Sequence, residues 1–282
     1  MTDASPPSPA DASADVLSAG WPVPAGIPRH ALVTGAGRRL GRALALDLAE
    51  AGFAVAVHHR GAADEAEAVR REIVGRGGRA VTLRADLSVE AETAPLVARA
   101  AAALGGAVGV LVNNASTFEY DAWDTVTRES WDGHVEPNLR APFVLTQAMA
   151  RALPAEAEGA VLNLIDQRVW SLTPHFVSYS VSKAGLWALT QSLALALAPR
   201  IRVNAIGPGP ALPSPRQTQA HFDAQCAALP LRRGTSPDEI RRAARFLLAA
   251  PSVTGQMLAL DGGQHLAWAW PPADTLAMPP QE

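Results

Sequence analysis

Lysine is all but missing from this 282-residue chain: of its 24 basic residues only Lys183 is lysine, and the others are arginine. Tyrosine is nearly as scarce, at Tyr120 and Tyr179, and Cys226 is the one cysteine. A single thiol excludes an internal disulfide and any cysteine-rich metal or cluster site, and it suits a reducing cytoplasm. The formal net charge of -3 leaves no positive field for coating a phosphate backbone, so nucleic-acid binding is not expected. No apolar run reaches the ~18 to 20 residues that cross a bilayer, so no membrane partner is expected. The opening MTDASPPSPADASADVL carries acids where a secretory signal carries a basic segment, and export is not expected. His58 and His59 adjoin on a strand end and point to opposite faces. No histidine pair stands at i, i+4 with a carboxylate beside it, so no metal site is expected.

What is present is a regular alternation. Residues 1–28 are rich in Pro, Ala and Ser without period and read as a disordered arm, and residues 267–282 read as a Pro-rich extended tail. Between them, at 29–266, short β-branched runs at 31–34, 54–58, 80–83, 108–113, 160–165, 202–205 and 257–260 alternate with longer amphipathic stretches. Those stretches lie at about 40–50, 63–76, 90–104, 128–152, 178–198 and 237–249. The pattern predicts an α/β fold: one Rossmann-type, doubly wound parallel sheet of seven strands with helices on both faces. The runs VGVLV and AVLNLI do not alternate, as expected of strands covered on both sides.

The first strand runs into ALVTGAGRRLG, residues 31–41, and then into a helix. Amides at such a helix start can receive a pyrophosphate, and Gly35 and Gly41 let the backbone come close. Arg38 and Arg39 add positive charge at the phosphate-binding end, with Leu40 between Arg39 and Gly41. The second strand ends in His58-His59-Arg60, where NAD-specific enzymes place an acid on the ribose hydroxyls. A carboxylate would repel a 2'-phosphate, whereas Arg60 can pair with it, so NADPH/NADP is the expected cofactor, with His59 and Arg60 beside it.

Tyr179 and Lys183 stand at i, i+4, on one face of a predicted helix. A neighbouring ammonium is expected to lower the phenol's pKa and make it a better proton donor. Asp166 closes the fifth strand, thirteen residues earlier; Asn113-Asn114-Ala115 closes the fourth, Asn138 lies in the following helix, and Pro208-Gly209 follows the sixth strand.

Taken in order, the TGxxxRxG turn, Asp86-Leu87, NNA, Asn138, YxxxK and Pro208-Gly209 resemble the short-chain dehydrogenase/reductase family over about residues 30–266. The resemblance implies cofactor contacts from Gly35, Arg38, Arg39, Leu40, Gly41, His59, Arg60, Asp86 at the adenine, Leu87, Asn114, Ala115, Ser116, Tyr179, Lys183, Pro208 and Gly209. It implies catalysis by Tyr179 and Lys183, with Asn138 fixing a water that links Lys183 to solvent, and assembly as a homodimer or homotetramer. Two positions depart from the family: Arg39 replaces the middle Gly of the turn, and Asp166 stands where Ser is usual. Both look like the pteridine reductase branch. That likeness implies a substrate site made by Arg39, Ser116, Phe118, Asp166 and Tyr179, with Phe118 stacked on a flat heterocycle and Asp166 bonded to ring or amino N–H groups. The segment 207–216 lacks the family's Thr, and its prolines suggest a stiff substrate lid. Three functions remain open at this level: reduction of a dihydropteridine, reduction of a carbonyl or 3-oxoacyl compound, and NADPH sensing without catalysis.

Overall fold

Burial on both faces is written into the central strands: every residue of β2 (Ala54–His59), β4 (Val110–Asn113) and β5 (Gly159–Leu164) is buried. The computed structural model describes residues 22–214 and 216–267. Together with β1 (His30–Val33), β3 (Ala80–Arg84), β6 (Ile201–Pro208) and β7 (Met257–Leu260), these strands form one seven-stranded sheet in the order β3-β2-β1-β4-β5-β6-β7. All its pairings are parallel; β1 meets both partners at Val33, opposite Val57 and Val112, and Asn113 stands opposite Asn163. The order reverses between β1 and β4, which opens a crevice at the carboxyl ends there.

Alternation in β1 divides the core in two. Ala31 and Val33 join Leu44 and Leu48 of α1 (Arg39–Glu50), Val69 and Ile73 of α2 (Ala63–Gly75), and Ile240 and Leu247 of α9 (Pro237–Ala249). Leu32 points the other way, toward Leu96 of α4 (Leu96–Leu104), Leu145 of α6 (Ala141–Ala152) and Ala194 of α7 (Val177–Leu197). Each fully buried Leu, Val or Ile contributes roughly 1.5–3 kcal/mol, and these two clusters hold the sheet against the ordering entropy of the chain.

Proline decides where the predicted helices break. The stretch 90–104 divides into α3 (Glu90–Thr93) and α4 because Pro95 has no amide to continue the ladder. The stretch 128–152 is α5 (Arg128–Val135), a π-helical turn (Glu136–Arg140) around Pro137, and then α6. One helix, α8 (Gln219–Ala227), was not expected: none of its residues is buried, so it has no apolar stripe to read. The packed body also begins before residue 29. Val23 and Ile27 lie in the core and the Arg29 guanidinium donates to the Val23 carbonyl at 2.8 Å, which corrects the arm boundary. Residues 1–21 of the expected arm, and the expected tail from 268 onward, lie outside the described residues. No helix among the described residues is long and apolar enough to cross a membrane.

Candidate active site

The turn after β1 is built by close approach. Gly35 has φ +62°, and a Cβ there would lie 3.0 Å from the Ala115 Cα. A Cβ on Gly41 would fall 2.2 Å from the Gly35 carbonyl oxygen, so only glycine lets α1 press onto the turn. Arg39 holds φ +52°, a left-handed conformation that costs a residue with a Cβ roughly 1–2 kcal/mol and shows why the family prefers Gly there. Thr34 ties the turn to the end of β4: its Oγ1 accepts the Asn114 and Ala115 amides at 2.9 and 3.0 Å. The Asn114 side-chain amide returns to the carbonyls of Thr34 and Gly35.

His58 fastens the same turn to β3. Its Nδ1 accepts the Gly35 amide at 3.1 Å, so the proton sits on Nε2, which donates to the Ala85 carbonyl at 3.0 Å. Burial pushes its pKa down to about 4, and the ring is neutral. His59 faces the opposite side, with Nδ1 buried and unpartnered, and does not line the groove; the ring that does is His58. Of the expected cofactor residues, Gly35, Arg38, Arg39, Leu40, Gly41, Arg60, Asp86, Leu87, Asn114, Ala115 and Ser116 line a cavity of about 380 Å³. Arg38 starts α1 without a side-chain cap, which leaves the first helix amides for an anion. Arg38 pairs with Glu65, whereas Arg60 makes no ion pair among the described residues. Asp86 holds its own turn through the Ser88 hydroxyl at 2.7 Å, the main cause of its lowered pKa. A dinucleotide with two phosphates and a third on its ribose fits this set of glycines, free amides and arginines.

The groove continues into a cavity of about 550 Å³ that brings together Arg39, Ser116, Phe118, Asp166, Tyr179, Lys183, Pro208 and Gly209. The Tyr179 hydroxyl donates to Asp166 Oδ2 at 2.9 Å. Lys183 Nζ donates to the Leu164 carbonyl at 2.8 Å and lies 5.8 Å from the centre of the Tyr179 ring. The expected lowering of the phenol by the ammonium is therefore not what this geometry produces. Burial first and the Asp166 charge second hold Tyr179 well above the ordinary phenol value, with Arg168 pulling the other way. Burial pushes Lys183 down to about 8, opposed by Asp166.

Asn138 is fully buried in the π-helical turn. Its Oδ1 accepts the Thr117 amide at 2.8 Å, and its Nδ2 donates to the Thr117 carbonyl and the Ser182 hydroxyl. Both amide hydrogens are spent clamping the loop after β4 to α7, so the side chain has none left for the expected water. Phe118 stacks on Phe176, centroids 4.5 Å apart, and meets Tyr179 edge-on at 4.6 Å. One face expected for a heterocycle is thus taken by a neighbouring ring. The loop from Gly207 is clasped over the groove: Arg39 donates to the carbonyls of Leu212 and Pro213, and Arg216 pairs with Glu119.

Sequence reasoning missed a buried chain beside the site. Asp121 accepts from both the hydroxyl and the amide of Ser178, the residue before Tyr179. His134 Nε2 accepts the Glu119 amide, so its Nδ1–H donates to the Ser178 hydroxyl at 2.7 Å. His58, Phe176 and Arg168 were missed as well. Only adjacency to Arg60, Tyr179 and Asp166 pointed to them.

A family model described as Enoyl-(Acyl carrier protein) reductase matches residues 35–265. The 3-oxoacyl-[acyl-carrier-protein] reductase of Staphylococcus epidermidis is 32% identical over 243 residues, 84% of this chain and 99% of that protein. The crystal structure of FolM Alternative dihydrofolate reductase 1 from Brucella canis, complexed with NADP, is 46% identical, covering 88% of this chain and 99% of that one with a TM-score of 0.84. The corresponding Brucella suis structure, also with NADP, is 48% identical with a TM-score of 0.82, over 86% of this chain and 96% of that one.

Proposed function

The chain belongs to the short-chain dehydrogenase/reductase family, and from that premise we propose that it is an NADPH-dependent reductase of a dihydropteridine. The observation that carries the substrate class is Asp166, 2.9 Å from the Tyr179 hydroxyl and in one cavity with Phe118, Arg39 and Lys183. The Brucella FolM proteins, similar over most of the chain, support it.

NADPH supplies the hydride. Arg60, which makes no ion pair among the described residues, would hold its 2'-phosphate, and Arg38, Arg39 and the first amides of α1 would hold the other phosphates. Tyr179 donates a proton to the reduced substrate, and Lys183, brought down to about 8 by burial, would hold the nicotinamide ribose. Asp166 accepts from Tyr179 and from ring or amino N–H groups, orienting the heterocycle along Phe118. Arg39 lines both cavities and would turn from the Leu212 and Pro213 carbonyls to reach phosphate and substrate. The reading includes a cytoplasmic homodimer or homotetramer, supported by the single cysteine and by Leu195, 84% exposed on α7.

A second reading, reduction of a 3-oxoacyl or other carbonyl compound, is supported by the staphylococcal relative; there Asp166 only replaces Ser as an acceptor. NADPH oxidation measured in parallel with dihydropterins and with 3-oxoacyl thioesters separates the two. Turnover of dihydropterins alone is expected, lost by about 10²–10⁴-fold in Tyr179→Phe and abolished in Asp166→Ala. Turnover of thioesters alone overturns the pterin assignment. NADPH binding with no turnover of either class indicates a sensor.

A further inference from the structure

A carboxylate half-buried beside a phenol calls for a compensating charge nearby. Asp166 is engaged at both oxygens: Oδ1 accepts the Arg168 amide at 2.9 Å, capping the 3-10 turn Gln167–Val169, and Oδ2 accepts the Tyr179 hydroxyl. The cations near it are mostly committed elsewhere. Lys183 is bonded to the Leu164 carbonyl, Arg39 to the lid carbonyls and Arg216 to Glu119. Among the described residues the one ion pair to Asp166 comes from Arg168, whose Nη1 lies 3.7 Å from Oδ2.

Arg168 is itself held in an unusual way. Its guanidinium carbon lies 5.2 Å from the ring centres of both Phe118 and Phe176, and its Nε is buried with no acceptor. The aromatic pair supplies the cation with the polarisable surface that water supplies elsewhere. The serine usual at this place in the family is neutral and needs no counter-charge; an aspartate does.

We propose that Arg168 is a positioning residue: held against the Phe118–Phe176 pair, it sets its charge beside Asp166 Oδ2 and keeps that carboxyl turned to accept the Tyr179 hydroxyl. This rests on the assignment of Asp166 and Tyr179 to proton delivery. Arg168 has the direct charge contact with Asp166, while Lys183 from α7, Arg39 from α1, His134 from α5 behind the Tyr179 ring, and Glu119 and Arg216 at the mouth complete the electrostatic surroundings.

The scarcity of tyrosine supplies a test independent of substrate. In a Tyr120→Phe background Tyr179 is the sole tyrosine, and carbon-13 labelling at its ζ carbon gives one resonance that moves when Asp166 takes a proton. Replacing Arg168 by Met is expected to move that response to higher pH, and Arg168→Lys is expected to restore most of the difference. The acid limb of kcat/KM moves up with it, while NADPH affinity stays put. Should the Met variant fail to fold, Arg168→Gln reads the same inflection. Activity lost with an unmoved inflection assigns Arg168 to packing and overturns the proposal. An inflection that moves in a protein that reduces no pterin leaves the proposal standing and sinks the substrate assignment instead.

Discussion

Lys183 holds its ammonium against a backbone carbonyl at the end of β5, deep enough that burial brings its pKa to about 8 from 10.5. It is the one lysine in the chain, so lysine labelled with carbon-13 at the ε position reports this group alone. Its midpoint in the cofactor-free protein is expected near 8, and lower in Asp166→Asn, because the Asp166 charge raises it. Between about 8 and 10.5 the unfolded chain binds more of this proton than the folded one, so the group's contribution to stability rises with pH across that window. Urea midpoints of the native protein should therefore climb across it relative to Lys183→Met. His58 runs the same way at lower pH. Its folded pKa of about 4 lies below the ordinary 6.5, so the stability it confers is present above 6.5 and is lost as pH falls toward 4. At this scale the sequence spoke clearly for Tyr179 and Lys183, whose spacing puts them on one helix face. It said little about Arg168 or Phe176, because the ring that completes their cluster, Phe118, comes from a segment far earlier in the chain.

The start of α7 carries the proposed catalytic pair, yet it has no cap of its own: Phe176 precedes it at φ +58° with no side-chain bond. Asp121 caps it from the loop after β4. Its carbonyl accepts the Phe176 amide at 2.7 Å, and its carboxylate accepts the amide and hydroxyl of Ser178. Asp121→Ala removes that cap and leaves the Ser178 amide and hydroxyl without their buried acceptor. A loss of about 2–4 kcal/mol is expected by urea unfolding, together with a fall in kcat as Tyr179 loosens, whereas Asp121→Asn should keep part of both. Helices were legible where an apolar stripe repeats, as in α1 and α9, and illegible in α8, which buries nothing. The π-helical turn had only Pro137 to announce it. It nevertheless places Asn138 so that its amide joins the loop after β4 to α7.

Across the whole molecule, the switch between β1 and β4 opens the crevice, and the loop from Gly207 is held beside it by bonds between distant parts of the chain. Arg216 reaches Glu119 across 97 residues, and Arg39 reaches Pro213 across 174. The Arg216–Glu119 side chains are 41% and 61% exposed, and a pair so open to water adds only about 0–1 kcal/mol to stability. Arg216→Ala is therefore expected to leave the thermal midpoint nearly unchanged while speeding release of NADPH from the holoenzyme in a stopped-flow displacement; an unaltered rate would show that the clasp does not hold the lid. The seven parallel strands and the place of the groove were legible in the sequence, because buried parallel strands, glycine turns and i, i+4 pairs are local signals read over a few residues; the strand order came with the structure. Electrostatics required the tertiary structure. Whether Lys183 lowers the Tyr179 phenol or Asp166 raises it, which histidine faces the groove, and which cation balances Asp166 depend on burial and on distances of a few ångströms between remote segments, and those exist only once the chain has packed.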